Sequence, residues 1–198
     1  MPFYEKENSK LMHIAANLSY AKPLDGQITL KSRPESNPTP ILLNTGKFQT
    51  EKSSHLGGEI YYSNKRFMIG SEFMWHNFYS KLSDNHSYFG GHVVISYFFT
   101  NNIRPYATKG SIYGFVPVKK SVFKGGWGEW EGVLHLSTYS LNDRSIKGGG
   151  FWKITPMVNW YLNKIIRLEF VYGYGVLDRY NLKGGVHFFQ SRIQFTLM

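Results

Sequence analysis

The chain has 198 residues, no cysteine and a mean hydropathy of -0.32, and its 23 Lys and Arg against 13 Asp and Glu give a net charge of +10. No stretch approaches the roughly 18 consecutive apolar residues of a transmembrane helix, so no such helix is predicted in these residues. The positive charge favours anionic partners: nucleic acid, lipid head groups or small anions.

Alternation of apolar and polar residues predicts an all-β fold, because no segment of useful length has a helical period. The predicted strands, nine in number, are 10–21, 27–33, 54–62, 66–79, 88–99, 129–141, 148–161, 165–177 and 185–198. Most have the length of strands that cross a bilayer at a tilt. An antiparallel transmembrane β-barrel of porin type is therefore the predicted architecture.

The connections between these strands alternate in length. Short turns are predicted at 22–26, 63–65 and 162–164, and longer connections at 34–53, 80–87, 142–147 and 178–184. Outer-membrane barrels have short periplasmic turns and longer external loops. With the C-terminus on the periplasmic side, strands 10–21 and 54–62 are predicted to run in the same direction, with 27–33 between them.

Residues 100–126 are too long for a turn, although both of their ends are predicted on the periplasmic side. They contain five basic residues and no acidic one: Arg104, Lys109, Lys119, Lys120 and Lys124. They either contain two short strands or form a long periplasmic insert that folds back into the lumen. We predict the insert, whose basic residues would form a constriction.

The alternation also predicts which face of each strand meets lipid. Strand 165–177 has Ile166, Leu168, Phe170, Tyr172, Tyr174 and Val176 on one side, and Arg167, Glu169, Val171, Gly173, Gly175 and Leu177 on the other. A charge on the lipid face costs about 2–4 kcal/mol at the bilayer midplane. The first side is therefore predicted to face lipid and the second to face a lumen.

The same rule predicts which basic residues point inward. On strand 27–33, Ile28 and Leu30 would face lipid, which turns Lys31 and Arg33 inward. The candidate anion-binding and pore-lining residues are Lys31, Arg33, Arg104, Lys109, Lys153, Arg167 and Arg192. The alternative role for each is an ion pair with one of the inward acids, which are Glu59, Glu72, Glu129, Glu131 and Glu169.

Several ordered motifs resemble the phosphate-selective porin O and P family. They are Lys31-Ser-Arg-Pro-Glu35, Asn44-Thr-Gly46, Ser96-Tyr-Phe-Phe99 with Arg104-Pro-Tyr106, Gly125-Gly-Trp-Gly-Glu-Trp-Glu131 with Tyr139-Ser-Leu-Asn-Asp143, Gly148-Gly, and Asn159-Trp-Tyr-Leu-Asn163 with Ile166-Arg-Leu168. Each motif is short, but their order along residues 10 to 198 makes the series specific.

The resemblance implies a sixteen-stranded barrel in the outer membrane of Gram-negative bacteria, usually trimeric, that passes anions through a lumen lined by Arg and Lys. Residues 1–198 would be the C-terminal part of a single porin barrel domain. The expected partners are small inorganic anions with phosphate among them, outer-membrane lipid and further copies in a homotrimer. No catalytic residue, cofactor, metal or nucleic acid is expected.

Two departures from that family bear on assembly. The N-terminal strands of the family's barrel are absent, and the chain ends on Met198, where outer-membrane barrels usually end on an aromatic residue. The first residues also lack the apolar core of a secretory signal. An odd number of strands also cannot close with an antiparallel seam. We therefore expect a fragment that forms an open, curved half-barrel, with about seven further strands encoded upstream.

Two other classes of function compete with a passive channel. An outer-membrane barrel hydrolase would need a nucleophile, a base and an acid at one rim, and His135 and Ser137 share one strand face. A soluble basic β-protein could bind single-stranded nucleic acid through its aromatic residues. That protein would bury the apolar strand faces in a core, whereas a channel exposes them to lipid.

Overall fold

The computed structural model describes residues 3–7, 10–33 and 39–196. Its strands are β1 (Phe3–Glu5), β2 (Lys10–Ala21), β3 (Gln27–Ile28), β4 (Lys31–Ser32), β5 (Leu43–Asn44), β6 (Phe48–Gln49), β7 (Lys52–Asn64), β8 (Phe67–Tyr79), β9 (His86–Phe98), β10 (Tyr106–Ala107), β11 (Ile112–Tyr113), β12 (Glu129–Asp143), β13 (Ile146–Tyr161), β14 (Ile166–Arg179) and β15 (Leu182–Phe195). A single 3-10 turn covers Val122–Lys124. Across these described ranges, no helix is long and apolar enough to span a membrane.

One antiparallel sheet holds nine of these strands, in the order β1-β2-β7-β8-β9-β12-β13-β14-β15. Eight of them are long, and β1 is a three-residue strand paired with the start of β2. The all-β fold predicted from the sequence is confirmed. The sheet is open, with β15 at one edge and β1 with the rest of β2 at the other.

The prediction of a long strand at 27–33 is wrong. This stretch contributes only β3, which pairs with β6, and β4, which pairs with β5. Ile28 and Leu30 pack against a buried cluster instead of facing outward. A period of two does not distinguish a long sheet strand from a folded connection, because short extended pieces that bury their apolar residues show the same alternation.

The predicted direction of strand 10–21 is wrong for the same reason. β2 pairs directly with β7 in antiparallel register, from Leu11 opposite Ser63 to Ala21 opposite Ser53. The ninth strand of the sheet is β1 and not 27–33, so the long strands number eight, which is an even count.

Two connections predicted to be long are tight turns. Only residues 144–145 separate β12 from β13, and only 180–181 separate β14 from β15. Arg144, Tyr180 and Asn181 have φ values of 49°, 53° and 63°, the left-handed conformation that two-residue hairpin turns require. The strands therefore extend further than their apolar residues indicated.

The side chains of the eight long strands alternate between the two faces of the sheet. We call inner the face that carries Glu131, which the register aligns with Asn159 and Phe98, and outer the face that carries Trp130, which it aligns with Trp160. The alternation on strand 165–177 is confirmed: Arg167 and Glu169 lie on the inner face, opposite Gln194 and Arg192.

Two connecting segments fold onto the inner face from opposite ends of the sheet. At the upper end, where residues 22–51 join β2 to β7, Leu43 and Phe48 form a buried cluster with Phe78, Tyr88 and Leu141. At the lower end, residues 99–128 join β9 to β12. Val116 and Val118 of this lower segment are buried against Phe98 and Tyr161. The inner face is thus partly covered at both ends.

We expect Gly128→Ala to lower the stability of the fold by about 1–3 kcal/mol, the usual cost of a strained backbone residue. Gly128 has a φ of 65°, and a Cβ there would lie 2.3 Å from the carbonyl oxygen of Tyr161. Heat-induced unfolding in detergent measures the change. Gly184→Ala is the matched control, because a Cβ at Gly184 meets nothing within 4 Å. Equal unfolding temperatures for the two variants would contradict the prediction.

Candidate functional site

The outer face is apolar over the whole width of the sheet. Away from the first and last two residues of each long strand, its described positions carry no Asp, Glu, Lys or Arg. Leu18 is 76% exposed and Phe189 is 71% exposed. A monomeric soluble protein rarely exposes so large an apolar surface, which instead marks contact with lipid or protein.

The inner face carries the charges. Along the long strands of the described chain, its basic residues are Lys153, Arg167, Arg179 and Arg192, and its acidic residues are Glu59, Glu72, Glu129, Glu131, Asp143 and Glu169. The strands by themselves therefore supply no basic surplus. The surplus comes from the connections, above all from the lower segment with its five bases and no acid.

A buried ion pair ties the lower segment to the inner face. Arg104 donates to the carboxylate of Glu131, whose side chain is fully buried, and Asn159 and Tyr161 donate to its other oxygen at 3.0 and 2.8 Å. Burial by itself would lower the pKa of Arg104, but the adjacent Glu131 carboxylate outweighs it and the pKa is raised. Arg104 therefore stays charged in this setting.

A second cluster joins two arginines to one carboxylate on β14 and β15. Arg167 and Arg192 approach Oε2 of Glu169 at 3.2 and 2.9 Å, and Arg167 also donates to Gln194 at 2.6 Å. Two guanidinium groups against one carboxylate leave one positive charge uncompensated. The Arg192 side chain is 50% exposed, so this charge is accessible from the inner face.

Arg104 and Arg167 line the same cleft. It has a volume of about 200 Å³ and lies between the lower segment and the turn from β13 to β14, where Tyr161, Lys164 and Gln194 complete its wall. Guanidinium groups present planar forks of N–H donors that match the oxygens of phosphate and other oxyanions. This cleft brings together Arg104 and Arg167, two predicted site residues that lie far apart in the sequence.

The other predicted site residues lie apart from this cleft. Lys153 is buried in the middle of the inner face, 6.0 Å from the ring centre of Phe188. Lys109 is exposed in the turn between β10 and β11. Lys31 and Arg33 are exposed in the 22–51 connection, which corrects their predicted position on a sheet strand. They lie outside the large sheet because residues 22–51 fold back on themselves, with β3 paired to β6 and β4 paired to β5.

Sequence reasoning missed two contacts that hold the connections in place. Arg179 donates to the carbonyl oxygens of Leu42 and Asn44, both at 3.3 Å, and so holds the 22–51 connection against β14. At the lower end, His13 lies 2.6 Å from the hydroxyl of Tyr106 and 2.8 Å from the carboxylate of Glu59. The alternation indicates that Arg179 and His13 point to the inner face. It does not identify their partners, which are distant in sequence.

The residues of the hydrolase hypothesis lie on the inner face. The ring of His135 is 4.8 Å from that of His92, and Ser137 is opposite Lys153 in the register. Within the described ranges, no three His, Cys, Asp or Glu side chains are grouped so that they could hold a metal ion.

Comparison with known proteins gives two findings. The family described as "Phosphate-selective porin O and P" matches residues 6–196, most of the chain. An uncharacterized protein of Caulobacter vibrioides is 26% identical over 137 residues. That alignment covers 69% of this chain and 27% of the Caulobacter protein, so the chain spans about a quarter of the length of that relative.

Proposed function

Because the chain belongs to the phosphate-selective porin O and P family, we propose that it forms the wall of an outer-membrane channel that passes small anions, phosphate among them, by passive diffusion. In this role the outer face meets lipid and the inner face lines the lumen. The channel performs no reaction, so no residue on the inner face acts as a nucleophile or a general base.

The observation that carries the proposal is the separation of the two faces. Eight long antiparallel strands keep every charged side chain of their middle parts on the inner face. Placing one charge on a lipid face costs about 2–4 kcal/mol at the midplane, so a sheet in a bilayer excludes charge from that face. A sheet with one face in water has no such reason to exclude it.

Closure of the barrel is part of the proposal. Unpaired backbone N–H and C=O groups cost several kcal/mol each in lipid, so the free edges at β2 and β15 must pair with other strands. The even number of long strands fits this, since the two edges then run in opposite directions and antiparallel pairing can continue. With β1 counted as the end of one of them, eight further strands would give the sixteen of the family resemblance, and we propose that such barrels form trimers.

Anion preference rests on the lower half of the inner face. Arg167 and Arg192 share Glu169, Arg104 lines the cleft beside them, and the lower segment adds four lysines. Several modest basic sites attract an anion and still release it, which conduction requires. We propose that residues 99–128 narrow the lumen and line it with positive charge.

We expect Arg167→Gln/Arg192→Gln to lower the permeability of anions relative to cations. The double change leaves Glu169 without its two guanidinium partners, and the cluster changes from a net charge of +1 to -1. The measurement is the reversal potential of the full-length channel in planar bilayers under a salt gradient, which should shift toward cation preference.

Lys81→Gln/Lys183→Gln is the matched control, because it removes two positive charges from side chains that are 86% and 73% exposed at the upper end. Its reversal potential should stay near that of the parent channel. Equal shifts in the two double variants would show that total charge, and not the arginine cluster, sets selectivity. An unchanged potential in the arginine variant would refute the proposal.

A further inference from the structure

A glycine-rich turn at residues 125–128 lies at the lower border of the outer face. Gly125 and Gly128 have φ values of 70° and 65°, and a Cβ at Gly126 would lie 2.3 Å from the carbonyl oxygen of Lys120. The turn therefore depends on glycine for its shape. It holds Trp127 outward, with the side chain 83% exposed.

Two indole groups fix this turn to the outer face. Trp130 and Trp160 stack with ring centres 4.7 Å apart, and both donate to the carbonyl oxygen of Trp127, at 3.1 and 2.9 Å. Phe123, in the 3-10 turn just before it, is 68% exposed. Tryptophan side chains with an apolar body and a polar tip are typical of the boundary between lipid and water.

Beside Trp127 lies a pocket of about 380 Å³. Its walls are the turn, residues 100–101, and Lys119 with Lys120. Glu129 also lines it, but this side chain is buried and its Oε1 accepts from the backbone N–H of Lys119 at 3.2 Å. Lys120 is exposed, as is Lys124 nearby, so basic groups dominate the accessible part of the pocket.

We propose that this pocket binds the head group of an anionic phospholipid. The phosphate would lie against Lys119 and Lys120, Trp127 would lie at the glycerol level, and the acyl chains would run along the outer face from Trp130. This inference rests on the proposed function, because it requires the outer face to meet lipid.

The position of the pocket favours a lipid over free phosphate as the occupant. The pocket opens to solvent, where a free phosphate stays hydrated and is held only by exposed lysines. A lipid adds the burial of its acyl chains on the adjacent apolar face, and membrane binding gains strength from buried apolar area together with attraction between basic groups and anionic lipid.

The test uses the full chain in phosphatidylcholine nanodiscs that contain a minor fraction of phosphatidylglycerol, with retained lipid counted by native mass spectrometry. We expect the parent to retain phosphatidylglycerol selectively. Lys119→Gln/Lys120→Gln should weaken this retention by roughly thirtyfold, the effect of removing two basic groups beside an anionic head group.

Lys6→Gln/Lys65→Gln is the matched control, because it removes the same charge from two exposed residues at the same end of the sheet but outside the pocket. It should retain phosphatidylglycerol as the parent does. Lys120→Gln alone separates loss of lipid binding from loss of structure, since it keeps the hydrogen bond from the Lys119 side chain to the carbonyl oxygen of Asn101. This single variant should lose part of the selectivity.

Three outcomes would overturn the inference: equal loss in the two double variants, no loss in either Lys120 variant, or displacement of the lipid by excess inorganic phosphate. Bilayer insertion and conductance are recorded for every variant. A full-length parent channel that fails to insert contradicts the proposed function itself. A chain that inserts and conducts but retains both lipids equally contradicts only the head-group site.

Discussion

Replacing Glu131 by glutamine is expected to destabilise the fold by about 3–5 kcal/mol, because breaking a buried ion pair leaves its other charge uncompensated. The Glu131 side chain is fully buried and that of Arg104 is only 20% exposed, so water cannot replace the lost carboxylate. Because this pair ties the lower segment to the inner face, single-channel conductance should also rise as residues 99–128 loosen. Thermal unfolding in detergent and bilayer recordings measure the two effects.

Two control variants separate the buried pair from a general loss of charge. Glu51→Gln breaks an ion pair with Lys81 whose side chains are 45% and 86% exposed, and should cost no more than about 1 kcal/mol. Arg104→Leu/Glu131→Leu removes both buried charges together and should recover much of the stability. If the double variant is as unstable as Glu131→Gln, the loss does not come from an unpaired arginine.

Leu136→Arg is expected to prevent stable insertion into a bilayer, at a cost of about 2–4 kcal/mol for an arginine near the midplane of the lipid face. Leu136 lies on the outer face in the middle of β12, is 39% exposed and is opposite Ile154 and Val93 in the register. The fraction of protein that reaches the heat-resistant folded form in lipid vesicles measures insertion.

His135→Arg is the matched control, because it adds the same side chain one position away on the inner face. His135 is opposite Thr155 and beside His92, on the face that already carries charge. It should insert at nearly the parent level. If both variants insert equally well, the outer face does not meet lipid, and the hypothesis of a soluble nucleic-acid-binding protein returns.

The sequence predicted the strands that carry the sheet and failed at the connections. The phase of 165–177 and 129–141 could be read correctly, because each strand repeats the same choice of face over many residues. The short stretch at 27–33 offered too few repeats to distinguish a sheet strand from a folded hairpin. The tight turns at 144–145 and 180–181 were missed because Arg144 and Tyr180, which adopt the left-handed conformation there, are not residues that usually mark such turns.

The candidate site was predicted only in part. Arg167 and Arg192 could be assigned to one face from the alternation, and the register aligns Arg192 with Glu169 on the neighbouring strand. The pairing of Arg104 with Glu131 could not be predicted, since it depends on where a 30-residue segment folds back. Such a segment has no period from which its contacts could be inferred.

The sequence by itself determined that the protein is a sheet with one apolar and one charged face, because that property is written into every second residue. Only the tertiary structure decided which strands are neighbours, that the long strands number eight, and that two connections fold over the inner face. The physical reason is that the pleat of a strand sets locally which face each side chain points to. Strand pairing and ion pairs instead join residues far apart in the chain.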